Sequence, residues 1–158
     1  MATLRVNHVS IHAHDLEESA RFYEELFDMT RLPVPSFHQQ VLWLALGDQQ
    51  LHLFLRDDAE APYAHHFAID VDDFAGFYRE AKRRGLLDGQ AWNQGARYHP
   101  AGWVQMYIRD PAGNLVEIDW PDVSTLPADI VDELERLEDD VPQEGEARTA
   151  TLYTGRPA

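Results

Sequence analysis

The sequence predicts an α+β protein built from one unit used twice, and three observations carry that expectation. His8-Val-Ser-Ile-His-Ala-His-Asp15 and His66-Phe-Ala-Ile-Asp-Val-Asp-Asp73 share a histidine, an extended apolar run and an aspartate seven residues on, at an offset of 58 residues. Behind each aspartate the apolar residues take helical spacing, Leu16, Ala20, Tyr23 and Phe27 in the first copy and Phe74, Phe77, Tyr78 and Ala81 in the second. Each copy then closes on strands that end alike, at Gly47-Asp-Gln-Gln-Leu-His52-Leu and Gly113-Asn-Leu-Val-Glu117-Ile.

Taken in order, the first unit reads as a strand over residues 4–12, a helix capped by Asp15 and running to about Phe27, and a loop carrying Pro33 and Pro35. Strands follow over residues 41–46 and 50–56, and the acidic stretch 57–62 connects the two copies. The second unit reads as a strand over residues 65–71, a helix capped by Asp72 or Asp73 and stopped at Gly85, and an irregular stretch to Gly102. A hairpin pairs residues 103–109 with 115–120 across the turn Asp110-Pro-Ala-Gly-Asn114. Module 1 is thus expected over about 4–57 and module 2 over about 64–120, within one domain covering residues 1–120. Residues 121–158 form an acidic extension in which Leu126, Ile130, Val131, Leu134 and Leu137 predict an amphipathic helix over 127–139. Trp43, Trp92, Trp103 and Trp120 read as core or rim, with Trp43 or Trp103 able to line an aromatic pocket.

The net charge of −15 is spread along the chain, with 18 acidic and 10 basic residues before position 121 and 10 acidic and 3 basic after it. A surface of that sign repels nucleic acid and anionic membrane. No apolar run is long enough to span a bilayer and the N-terminus has no signal-peptide pattern, so a cytoplasmic protein is expected. The absence of cysteine removes disulfides, thiolate nucleophiles and thiolate zinc sites together, which leaves imidazole and carboxylate as the strong ligands.

Period-2 alternation places His8, Ser10 and His12 on one face of their strand, His66, Ala68 and Asp70 on one face of theirs, and Leu115, Glu117 and Asp119 on one face of the last. The repeat makes His8 equivalent to His66 and His52 equivalent to Glu117. Four metal-capable side chains therefore occupy two pairs of matching positions, the pattern of a metal site built by pseudo-symmetry. Two imidazoles and one carboxylate leave positions open on an octahedral divalent ion, a set suited to Fe(II) or Mn(II).

With the repeat, these histidines and Asp110-Pro-Ala-Gly-Asn-Leu-Val-Glu117 in view, residues 4–120 resemble the vicinal oxygen chelate superfamily, which includes glyoxalase I, extradiol dioxygenases, fosfomycin-resistance proteins and bleomycin-binding proteins. The resemblance implies paired βαβββ modules forming an open, cupped β-barrel, with a divalent metal held by His8, His66 and Glu117. It also implies a homodimer, since in such proteins the modules pair within one chain or swap between two. The run from His99 through Met106-Tyr107 and Asp110-Pro-Ala-Gly113 to Glu117 looks like the extradiol ring-cleavage signature, from which Arg97 departs. On that likeness Tyr107 donates a hydrogen bond to a bound phenolate, His99 lines the pocket, and His52 serves as acid/base catalyst. His52 reads equally as a fourth metal ligand, because glyoxalase-like members place a glutamate on that strand, or as a packed residue.

Three functions compete. The first is an extradiol-type dioxygenase acting on a small catecholic substrate. The second is a redox-inert isomerase, lyase or transferase using Zn(II) or Ni(II); His52, where glyoxalases place a carboxylate, counts against glyoxalase proper, and the shortage of cationic residues, with only Arg97 and Arg109 as obvious phosphonate partners, counts against a fosfomycin transferase. The third is a non-enzymatic binder of an aromatic drug, which the intact His8, His66 and Glu117 argue against.

Overall fold

A computed structural model describes residues 5–91 and 95–154, so Leu4 and Trp92 lie outside the described residues. Both copies fold to one strand order. In the first, β1 (His8–Ala13), α1 (Leu16–Phe27), β2 (Arg31–Leu32), β3 (Val41–Leu46) and β4 (Gln49–Leu55) form a sheet ordered β1-β4-β3-β2. In the second, β5 (His66–Asp70), α2 (Phe74–Arg84), β6 (Arg97–Tyr98), β7 (Val104–Arg109) and β8 (Leu115–Trp120) give the order β5-β8-β7-β6, continued at the edge by β9 (Glu135–Arg136). Each copy is a βαβββ module whose first strand lies beside its last, which is the α+β class expected. By compactness the chain divides into one unit of Met1–Phe67 with Arg109–Leu115, and a second of Ala68–Ile108 with Val116–Ala158.

The helix ends follow from the residues that cap them. Asp15 accepts from the backbone N–H groups of Glu17 and Glu18, satisfying donors that the first turn of α1 leaves unpaired. Asp73 does the same for Gly76 at the start of α2. Gly85 ends α2 at φ 68°, in the left-handed region where a side chain is costly.

Alternation then sorts each sheet into two faces. On the first sheet Val9, Ile11, Leu42, Leu44, Leu51 and Leu53 share the apolar face, and α1 packs against β3 and β4. His8, Ser10, Trp43, Gln50 and His52 share the other. On the second sheet Val104, Met106, Ile108, Val116 and Ile118 are fully buried, and Trp120, on the same side of β8, meets the ring of Phe74 from α2 at 6.4 Å. The polar residues of that sheet, Arg97, Gln105, Tyr107, Glu117 and Asp119, take the opposite side.

The turn joining β7 to β8 is organised by one buried carboxylate in the first unit. Asp110 accepts from the backbone N–H groups of Ala112 and Asn114 through Oδ1, and from the Tyr23 hydroxyl and Asn114 Nδ2 through Oδ2. Asn114 also donates to the carbonyl of His12, tying the turn to β1.

The extension departs from the continuous helix expected over 127–139. A single turn, α3 (Ala128–Val131), is followed by β9 and then by a second turn, α4 (Leu137–Asp140). Ile130 and Leu134 are buried as the apolar stripe requires. Glu135 leaves the helix because β9 pairs with β6, Arg97 opposite Glu135, and the buried Arg97 guanidinium takes the Glu135 carboxylate at 3.1 Å. A strand pairing and an ion pair together outweigh two further turns of a short helix.

Candidate functional site

The helix-free face of each sheet carries the candidate residues. In the first unit His52 is sandwiched. Its ring stacks on Trp43 at 4.3 Å and on His8 at 4.3 Å, the planes tilted by 9° and 17°. The stack follows from the register, since Trp43 is the direct antiparallel partner of His52 and His8 is paired with Gln50 on the adjoining strand. Burial between these rings, reinforced by the neighbouring His8, pushes the His52 pKa below the ordinary imidazole value. His52 is held as a neutral imidazole.

Each of the three candidate histidines is fixed by a hydrogen bond through one nitrogen. His8 Nδ1 donates to Asn7 Oδ1 at 3.0 Å, His52 Nε2 to Gln50 Oε1 at 2.8 Å, and His66 Nδ1 to the Ala64 carbonyl at 2.9 Å. Such a bond places the proton on one nitrogen and leaves a lone pair on the other, which is how metal-binding imidazoles are oriented. His66 also lines a cavity of about 260 Å³ with Ser10, His12, His65 and Asn114.

In the second unit Glu117 and Asp119 are both buried on the helix-free face of β8. The Tyr107 hydroxyl donates to Glu117 Oε2 at 3.1 Å. Burial, then the Glu117 charge and hydrogen bond, and then Asp70, push the Asp119 pKa up to about 8. Burial and the Glu117 charge likewise raise the Tyr107 pKa, keeping the phenol protonated. His99 stacks on Trp103 at 3.4 Å, and with Tyr98, Arg136, Glu138 and Arg148 it borders a cavity of about 170 Å³.

These placements bring together His8 with His52, and Tyr107 with Glu117. His8 and His66 belong to the first unit and Glu117 to the second. Among the described residues no three of His, Asp or Glu approach closely enough to hold one ion. The donor chemistry nevertheless suits a divalent metal, for the imidazoles carry the fixed tautomers a ligand needs and the carboxylates are buried where a bare charge is costly. One contributor was not predicted from the sequence, and another was placed on its face without its burial. Gln50, two residues before His52, could have been found from same-face spacing along β4, whereas the depth at which Asp119 is buried left no mark in the sequence. Of the two arginines set aside as phosphonate partners, Arg109 gives its guanidinium to the carbonyls of Gly113 and Tyr63.

Comparison with known proteins agrees with this architecture. The chain is 25% identical over 130 residues to the mitochondrial methylmalonyl-CoA epimerase of Homo sapiens, a match covering 73% of each chain. The structure of a lactoylglutathione lyase from Agrobacterium tumefaciens is 25% identical with a TM-score of 0.57, covering 75% of this chain and 95% of that one. A glyoxalase-family protein from Bacillus anthracis has the same fold, with a TM-score of 0.61 at 23% identity over 75% of this chain and 96% of its own. The family model matches residues 5–118, both βαβββ modules from β1 to the middle of β8, and the chain therefore belongs to the Glyoxalase/Bleomycin resistance protein/Dioxygenase superfamily.

Proposed function

We propose that this protein is a divalent-metal-dependent enzyme that moves a proton on a small substrate presenting neighbouring oxygens, an isomerase or lyase in type. The observation that carries the reading is the pair of buried carboxylates, Glu117 and Asp119, on the helix-free face of β8. Two such groups are kept out of water only where a proton or a cation serves them. The duplicated motif, rather than their spacing, assigns His8, His66 and Glu117 to the ion, with Zn(II) or Ni(II) as its identity. When bound, the ion polarises a substrate oxygen and so acidifies the neighbouring C–H or O–H bond. His52, neutral and fixed by Gln50, accepts and returns the proton. Tyr107 holds Glu117 in one orientation through its hydroxyl. The 25% likeness to an epimerase and to a lyase supports chemistry of this kind.

Ring cleavage by Fe(II) or Mn(II) is the second reading, favoured by the spacing from His99 through Tyr107 to Glu117. Against it stands the Tyr107 hydroxyl, which is donated to Glu117 where a phenolate donor was expected.

The experiment is to purify the chain without added metal, titrate Zn(II), Ni(II) and Fe(II), and then follow exchange of substrate hydrogen with deuterated water over thioesters and hemithioacetals. One bound ion and deuterium uptake are expected. Oxygen consumption with a catechol and Fe(II), without exchange, replaces this reading by the second.

A further inference from the structure

The superfamily match ends at Ile118, and the chain continues beyond it through residues 119–154. Two contacts of that continuation face the same end of the second sheet. Trp103, immediately before β7 and on the side of Gln105 and Tyr107, donates its indole N–H to the carbonyl of Ala150 at 3.0 Å. Three residues further on, the Tyr153 hydroxyl donates to Asp70 Oδ1 at 3.0 Å, at the last residue of β5. In the sheet order β8 lies between β5 and β7. Neighbouring strands are spaced by about 4.8 Å, so passing from β7 to β5 covers about 10 Å, which is what three extended residues reach. A segment of the length from Ala150 to Tyr153, held at β7 and at β5, is able to span β8 at the end where Asp119 stands. Asp119 is buried beside Asp70, and its Oδ1 has no hydrogen-bond partner. A backbone bond from Val123 to the carbonyl of Gly102 anchors the start of the extension at the same end of β7.

We propose that residues 150–153 are a strap that closes the Asp119 end of the substrate face, and that Tyr153, latched on Asp70, is a specificity-determining residue that limits how far a substrate extends past β8. The assignment of that face to substrate rests on the function proposed above. The strap itself rests on the two hydrogen bonds and the strand order. Opening requires release of the Tyr153 hydroxyl from Asp70 and of Ala150 from Trp103, after which the Asp119 carboxyl meets solvent.

Carbodiimide coupling of glycine methyl ester to Asp119, followed by peptide mass spectrometry on the full chain, reads this opening directly. Three variants are compared with it: Tyr153→Phe, Asp70→Ala, and a chain ended after Gln143, which keeps the buried Ile130 and Leu134. Tyr153→Phe and Asp70→Ala are expected to label Asp119 about tenfold faster, the factor that one hydrogen bond to a charged group contributes, and the shortened chain faster still. Labelling of Asp119 at the full-chain rate in both point variants overturns the proposal, whether or not the shortened chain folds. Binding of Ni(II) alone, measured by equilibrium dialysis, separates the two readings. If the full chain binds no Ni(II), the proposed function fails while the strap is still decided by the labelling. If it binds one Ni(II), the point variants keep that stoichiometry.

Discussion

Asp110 shows how much of this fold depends on one side chain. Its two oxygens serve the Tyr23 hydroxyl, the Asn114 amide and two backbone N–H groups, all away from solvent. Replacing it by alanine leaves those donors buried and unpaired, and a loss of about 3–5 kcal/mol in urea unfolding is expected, against about 1 kcal/mol for Tyr23→Phe. The Asp-Pro-Ala-Gly-Asn turn was legible in the sequence from its residue types, but the hydroxyl that reaches it from α1, 87 residues away, was not. His52 presents the same limit. Its strand position followed from the repeat, whereas the stack on Trp43 and His8 depends on register. His52→Ala is expected to keep its metal and lose turnover by about 10² to 10⁴, the usual contribution of a general acid or base, measured as Ni(II) stoichiometry alongside the exchange rate. Loss of the ion in that variant assigns His52 to the ligand set.

At the scale of elements, α2 and the extension are clipped together by charge. Tyr78 and Lys82 both reach Glu133, and Arg79 reaches Asp129 at 2.7 Å. Lys82, then the Tyr78 hydroxyl, holds the Glu133 pKa below its ordinary value, and Arg79 does the same for Asp129. A carboxylate whose pKa is lowered on folding contributes stability above its unfolded pKa and loses it as the pH falls through the folded one. The extension is therefore expected to loosen below about pH 4, the range in which these carboxylates protonate, and to do so earlier at high salt because the pairs are exposed. Hydrogen exchange at residues 128–136 checks this, with Glu133→Gln showing the smaller change. The helices α1 and α2 were readable from apolar spacing and caps. The two-residue strands β2, β6 and β9 were not, because so short a segment has no period and is fixed only by the edge it joins. The break between α3 and α4 has that same origin.

For the whole molecule, the duplication was the most legible property, because a repeat of 58 residues fixes the element order of both halves at once. Among the described residues no helix is long and apolar enough to cross a membrane. Val6, Phe37 and Tyr63 are large apolar or aromatic side chains left exposed on the first unit. Together with the modular architecture they motivate the expectation of a homodimer, for which light scattering at micromolar concentration should return twice the chain mass. A monomer mass removes it.

The parallel pairing of β1 with β4 bears on the order in which the chain assembles. The β3–β4 hairpin is local and brings Trp43 opposite His52 early, whereas His8 meets Gln50 only once the intervening helix and strands have been gathered in. Contacts of long sequence separation form late because the loop must be closed before they are rewarded. In refolding, Trp43 fluorescence should therefore change in two steps, as His52 stacks and then as His8 closes over it, so the ordered stack of the helix-free face exists only when the first module is complete.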